Sequence, residues 1–122
     1  MQIIDANVIL RYLLNDAPEM SQSAKEIITK NEVFIPSEVF AEVVYVLSGV
    51  YSIPRIKICD ILCDFIDEVK TTDPTVLKTG LHTFSETSLD FVDCLLAAYH
   101  TVSGYEIFTF DKKLNKLLHS EV

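Results

Sequence analysis

An α/β domain built on a central parallel sheet is the fold this sequence predicts, and three observations predict it. Short apolar runs rich in strand formers (2–4, 33–35 and 106–110) alternate with amphipathic helical patterns. Glycine and proline number only three and four in 122 residues, which argues against disorder and low complexity. The composition is 49% hydrophobic, enough for one core in a chain of this length. Short apolar strands separated by helices run parallel and are covered on both faces. Right-handed connections then give a three-layer α/β/α sandwich, expected as one domain over residues 1–122.

The elements follow in order. Residues 2–4 form a short apolar run that stops at Asp5, and from Val8 the positions Ile9, Leu10, Leu13 and Leu14 take a helical period. Pro18 suits the first turn of a second helix through about Lys30. VFI at 33–35 is β-branched and aromatic and reads as a buried strand. Pro36 or Ser37 then opens a helix that stops at Gly49. The next helix runs from about Pro54 to Glu68 with Ile58, Ile61, Leu62 and Phe65 inward, and VKTT at 69–72 is a further strand. Pro74 to Phe84 is helical. Thr87 and Asp90 have capping-box spacing ahead of a helix from Leu89 to Val102, which Gly104 ends. EIFTF at 106–110 alternates as a strand does, and KKLNKLL forms a closing helix.

No apolar run approaches the roughly 18–20 residues of a membrane helix. The start, MQIIDANVIL, lacks the basic region of a signal peptide, so a cytoplasmic location is expected. Three cysteines, Cys59, Cys63 and Cys94, are an odd count and make no disulfide framework. Cys59 and Cys63 read as small buried residues of a helix, since zinc wants further ligands at suitable spacing and the sequence offers none. His82, His100 and His119 make no i, i+4 pair. The chain has no P-loop, dinucleotide fingerprint or nucleophile elbow. Its formal charge of −8 is unlike that of proteins that hold nucleic acid by charge alone.

Four acids carry the functional reading. Ligands of an open parallel sheet bind beyond the carboxyl ends of its strands. Asp5 directly follows the first strand and Asp111 the last, so sheet topology delivers both to one edge. Glu42, with Val39, Tyr45 and Val46 around it, and Asp93, with Leu89, Leu96 and Ala97, lie within or beside apolar helix stripes. No lysine or arginine lies three or four residues from either, so a bound cation is the natural partner for carboxylates held there. An all-oxygen set suits Mg²⁺ or Mn²⁺, which neutralise charge on a transferring phosphoryl group.

Each acid also has an ordinary reading. Asp5 or Asn7 can cap the first helix and Asp111 the last, while Glu42 and Asp93 can turn to a solvated flank. Asp90 has a local role beside Thr87, and Glu38 shares a helix face with Glu42 at a first turn where acids are common, so both are subsidiary metal candidates. Asn7 and Thr109 are placed to orient ligands. Arg11, Lys112 and Lys113, with Lys116, lie near the proposed edge in sequence and are candidate phosphate contacts.

The segments IDANVILRYLL, AEVVYVLS, LDFVDCLLAAYH and FTFDKKL, in this order, resemble the PIN domain over essentially the whole chain. The resemblance implies an α/β/α sandwich whose acidic quartet binds Mg²⁺ or Mn²⁺ and hydrolyses RNA to a 5′-phosphate and a 3′-hydroxyl. Carried over, the quartet falls on Asp5, Glu42, Asp93 and Asp111, with Asn7 and Thr109 at the accompanying polar positions. Short single-domain proteins of this kind look like VapC-type toxins, which are typically homodimers held inactive by a small antitoxin. The alternatives are a housekeeping PIN nuclease of RNA processing and a non-catalytic PIN-like binding module. A haloacid-dehalogenase-like phosphatase wants an aspartate where Asn7 stands. A receiver domain wants paired acids after the first strand, an aspartate after a middle strand and a lysine after a late one, and VFIPS and EIFTFD supply neither of the last two.

Overall fold

Proline and short polar side chains set the helix starts. Pro18 opens α2 (Pro18–Lys30) and Pro74 opens α5 (Pro74–Glu86), where a missing N–H costs nothing because first-turn amides have no intrahelical acceptor. Asp73 completes the second of these starts, its carboxylate accepting from the Val76 amide at 3.1 Å. The other helices are α1 (Ala6–Leu14), α3 (Ser37–Gly49), α4 (Arg55–Ile66), α6 (Phe91–Ser103) and α7 (Lys112–His119). Gly104 ends α6 in the left-handed region, at φ +76°, a conformation that strains any side chain with a Cβ. These assignments come from a computed structural model that describes residues 1–120.

Three short strands, β1 (Gln2–Ile3), β2 (Val33–Ile35) and β3 (Lys70–Thr71), make a parallel sheet in the order β1-β2-β3. Gln2 pairs with Val33 and Ile3 with Phe34; Phe34 in turn pairs with Lys70 and Ile35 with Thr71. Val33, Ile35 and the adjoining Ile4 turn into the core, where Phe40, Leu47, Ile58, Leu62, Phe65 and Leu77 are buried. Ile3 shares the other face with half-buried Phe34 and exposed Lys70, and is itself 66% exposed. That face is therefore only partly covered, unlike the expected closure on both sides. With consecutive strands side by side, both right-handed crossovers fall on one face.

The strand expected at 106–110 does not pair with the sheet, and β1 is an end strand among the described residues. The expected alternation is still present. Ile107 and Thr109 turn inward, Ile107 against the small cluster of Ala97, Leu114 and Leu118, whereas Phe108 (90%) and Phe110 face solvent. Side chains tie the segment to the helices at both ends. His100 Nδ1 donates to the Tyr105 carbonyl at 2.7 Å, and Asn115 Nδ2 donates to the Thr109 carbonyl at 2.8 Å. Those carbonyls are satisfied without a neighbouring strand.

Helices α5 and α6 pack closely because Gly80 lies between them. A Cβ at Gly80 would sit 3.1 Å from Leu95 Cδ2 and 3.6 Å from the Cys94 carbonyl. Gly80→Val should therefore cost about 1–3 kcal/mol through overpacking, while Gly80→Ala, relieved by rotation of Leu95, should cost much less. Urea titration of both variants checks this; equal stability of Gly80→Val and wild type would mean the helix pair separates freely.

Candidate functional site

The candidate acids enter through helix starts. Asp5 is the N-cap of α1: it follows the end of β1 with extended backbone, and its Oδ1 accepts the Val8 amide at 3.1 Å. Asp111 caps α7 in the same way, Oδ1 accepting the Leu114 amide at 2.8 Å. The capping reading of both is thus met in the structure. A cap occupies one carboxylate oxygen, and the other stays available. Thr109 sets the turn before Asp111, its Oγ1 accepting the Asp111 amide at 3.0 Å. Asp111 is therefore presented by a tied turn rather than by a strand of the sheet.

Asp93, in the first turn of α6, is half-buried. Its carboxyl is raised above the ordinary aspartate range, first by burial and then by the negative charges of Asp111 and Asp90. Asp111 and Asp90 thus both lie within electrostatic reach of Asp93, and none of the three forms an ion pair among the described residues. Asp90 also differs from expectation. The capping box does not form: Asp90 is itself the N-cap of α6 and accepts no amide, while Thr87 Oγ1 donates to the Thr83 carbonyl and accepts from the Leu89 amide. The Asp90 carboxylate is exposed and uncommitted, which strengthens its place beside Asp93.

Glu42 lies differently from the buried position its apolar neighbours suggested. The stripe of α3 that enters the core is Phe40, Val43, Val44 and Leu47, so Glu42 and Tyr45 are exposed on the flank. Glu38, in the first turn, is exposed as well. Neither Glu42 nor Asp5 is among the charges that raise Asp93. Among the described residues, no three of these acids bring carboxylate oxygens within 4.8 Å of one another. The donor set is nonetheless all oxygen and unpaired with cations, which fits a hard divalent ion.

Of the basic residues, Lys112 and Lys113 are exposed in the first turn of α7, directly after Asp111. Arg11 is engaged elsewhere, paired with Asp16 at 3.0 Å and donating to Tyr51 Oη at 3.1 Å, so it is not free for phosphate. Asn7 is exposed in the first turn of α1. The sequence reading passed over Arg55. Its Nε donates to the Phe84 carbonyl at 2.7 Å, its Nη2 donates to the Leu89 carbonyl, and its guanidinium lies 3.6 Å from the Phe84 ring centroid. One side chain thus fastens both ends of the α5–α6 connection that leads to Asp90 and Asp93. A groove of about 460 Å³ opens beside it between α3 and α6, with Tyr45, Asp90 and Phe91 on its walls.

The fold is a parallel α/β scaffold in which Asp5, Asp90, Asp93 and Asp111 stand at or in the first turn of helices. The PIN domain family model matches residues 3–118, and the chain belongs to that family. PIN domains are generally nucleases that use divalent metal ions. No curated protein and no solved structure matches the chain. No helix among the described residues is long and apolar enough to cross a membrane.

Proposed function

We propose that this PIN domain is an endoribonuclease dependent on Mg²⁺ or Mn²⁺, with Asp5, Glu42, Asp93 and Asp111 as its ligands and Asp90 as a fifth acid. The observation that carries the reading is half-buried Asp93, its carboxyl raised by burial and by the charges of Asp111 and Asp90, with no ion pair to any of the three among the described residues. A divalent ion there would supply charge neutralisation for the phosphodiester and a more acidic water for its hydrolysis. Asp111, fixed by its cap and by Thr109, and Asp93, fixed in the first turn of α6, would hold that ion. Glu42 is exposed on the flank of α3, the helix that packs against α6, and would have to swing inward to join them. Lys112 and Lys113 would meet the phosphates, and exposed Tyr45 offers a face for a base to stack on beside the groove.

The same proposal takes the protein as a cytoplasmic, homodimeric toxin of a toxin–antitoxin pair. A net charge of −8 suits a basic antitoxin segment through electrostatic complementarity. Binding to such a partner should weaken as salt rises, and equal affinity at low and high salt would count against it.

Asp5→Asn gives the cleanest test, because asparagine caps a helix as well as aspartate does while removing the ligand charge. Cleavage of structured and single-stranded RNAs in Mn²⁺ should fall by at least about a hundredfold in Asp5→Asn, and should stop in chelator. Cleavage that persists in either case overturns the metal-carboxylate mechanism. One observation favours a second reading, a non-catalytic binding module: among the described residues, no three acids converge to coordination distance. RNA binding without cleavage in Mn²⁺ would establish that reading instead.

A further inference from the structure

Away from the acids, α4 and α5 bring together three side chains that the proposed nuclease chemistry does not use. Cys59 and Cys63 stand one turn apart on α4, with their Sγ atoms 3.9 Å apart. His82 of α5, 23 residues beyond Cys59, aims Nδ1 at the Cys59 Sγ from 3.6 Å. The Cys63 Sγ completes the group, all three donor atoms lying within 4.8 Å of one another. Cys59 is buried, Cys63 half-buried and His82 exposed, so the triangle opens to solvent on one side.

These separations can be compared with a real coordination sphere. Zinc binds thiolate sulfur at about 2.3 Å and imidazole nitrogen at about 2.0–2.1 Å, in tetrahedral geometry. Tetrahedral angles convert those bonds to about 3.8 Å between sulfurs and about 3.5 Å between sulfur and nitrogen. The observed 3.9 and 3.6 Å exceed these by only about a tenth of an ångström. Core packing accounts for the burial of Cys59, but it does not account for an exposed histidine whose Nδ1 is directed at a sulfur.

We propose that Cys59, Cys63 and His82 form a zinc site that clamps α4 to α5, with the fourth coordination position open to water. Two soft thiolates and an imidazole select Zn²⁺ over the hard ions suited to the carboxylates, so the two sites would take different metals. The sequence predicted no zinc site because the two cysteines had no further ligand at motif spacing. The packing of α5 on α4 supplies it.

Co²⁺ is the probe, because only thiolate ligation gives it an intense near-ultraviolet charge-transfer band. The full chain, purified with a non-thiol reductant and stripped of metal, should develop that band with one equivalent of Co²⁺, and Zn²⁺ should abolish it. Cys63→Ser should remove most of the band. His82→Ala, at an exposed position, should leave the fold intact and weaken binding about 10–100-fold. A double variant, Asp93→Asn with Asp111→Asn, should keep the full band, which separates this site from the acidic one. Zn²⁺ should also raise the melting temperature of the wild type more than that of His82→Ala. Absence of a thiolate band in the wild type, or a band of unchanged strength and affinity in His82→Ala, overturns the proposal. The measurement does not depend on RNA cleavage, so this site and the nuclease reading fail separately.

Discussion

Asp93→Asn is expected to lower metal-dependent RNA cleavage by at least about a hundredfold, yet to leave the metal-free protein at least as stable as the wild type at neutral pH. The reason is the environment of the carboxyl. Burial first, then the charges of Asp111 and Asp90, raise it in the folded protein. Its folded value therefore lies above its unfolded value, and between the two the folded state binds more protons. Stability must then fall as pH rises through that window, and the cost is fully present above it. Asparagine keeps the size and removes the charge. Thermal melts in chelator across a pH series check the sign: the wild type should gain on Asp93→Asn as pH falls through the window. If Asp93→Asn is the less stable protein at neutral pH, the Asp93 carboxylate already has a favourable partner and the case for a missing cation fails.

The second large effect is on stability. Arg55→Leu is expected to cost about 2–3 kcal/mol, since two charged hydrogen bonds to carbonyls and a contact with the Phe84 ring are lost together. Partial exposure of Arg55 keeps the figure toward the low end. In a domain of this size the loss lowers the melting temperature by roughly 10 °C. Arg55→Lys should recover little, because a single ammonium cannot reproduce the planar fork that serves the Phe84 and Leu89 carbonyls. The loosened connection leads to Asp90, so cleavage should weaken as well, at temperatures where the variant is still folded. A variant within half a kcal/mol of wild type in urea would show that the connection holds without the arginine.

Much of the fold was legible because its signals are local. Pro18 and Pro74 open the helices expected of them, and Gly104 closes α6 at a positive φ. VFI and VKTT both yield strands. The departures arise where the outcome depends on distant parts of the chain. EIFTF has the alternation of a strand and turns alternate residues inward, but the Tyr105 and Thr109 carbonyls are satisfied by His100 and Asn115. On α3 the apolar neighbours Val39 and Val46 are half-buried against the core as expected, but packing centres the buried face on 40, 43, 44 and 47 and leaves Glu42 exposed. Thr87 had the spacing of an N-cap, yet it bonds back to Thr83 at the end of α5 and leaves that position to Asp90.

By itself, then, the sequence determined the α/β class, most helix boundaries, and the placing of Asp5 and Asp111 at helix starts. Those features follow from backbone propensity, capping and apolar period, which act within a turn or two. Only the tertiary structure decided that Asp93 stands near Asp111, that Glu42 faces solvent, that Arg55 holds the approach to the acids, and that His82 meets two cysteines of another helix. Each of these is a meeting of residues, or a choice between helix faces, set by how helices pack. Close packing admits few arrangements, but local pattern does not say which one.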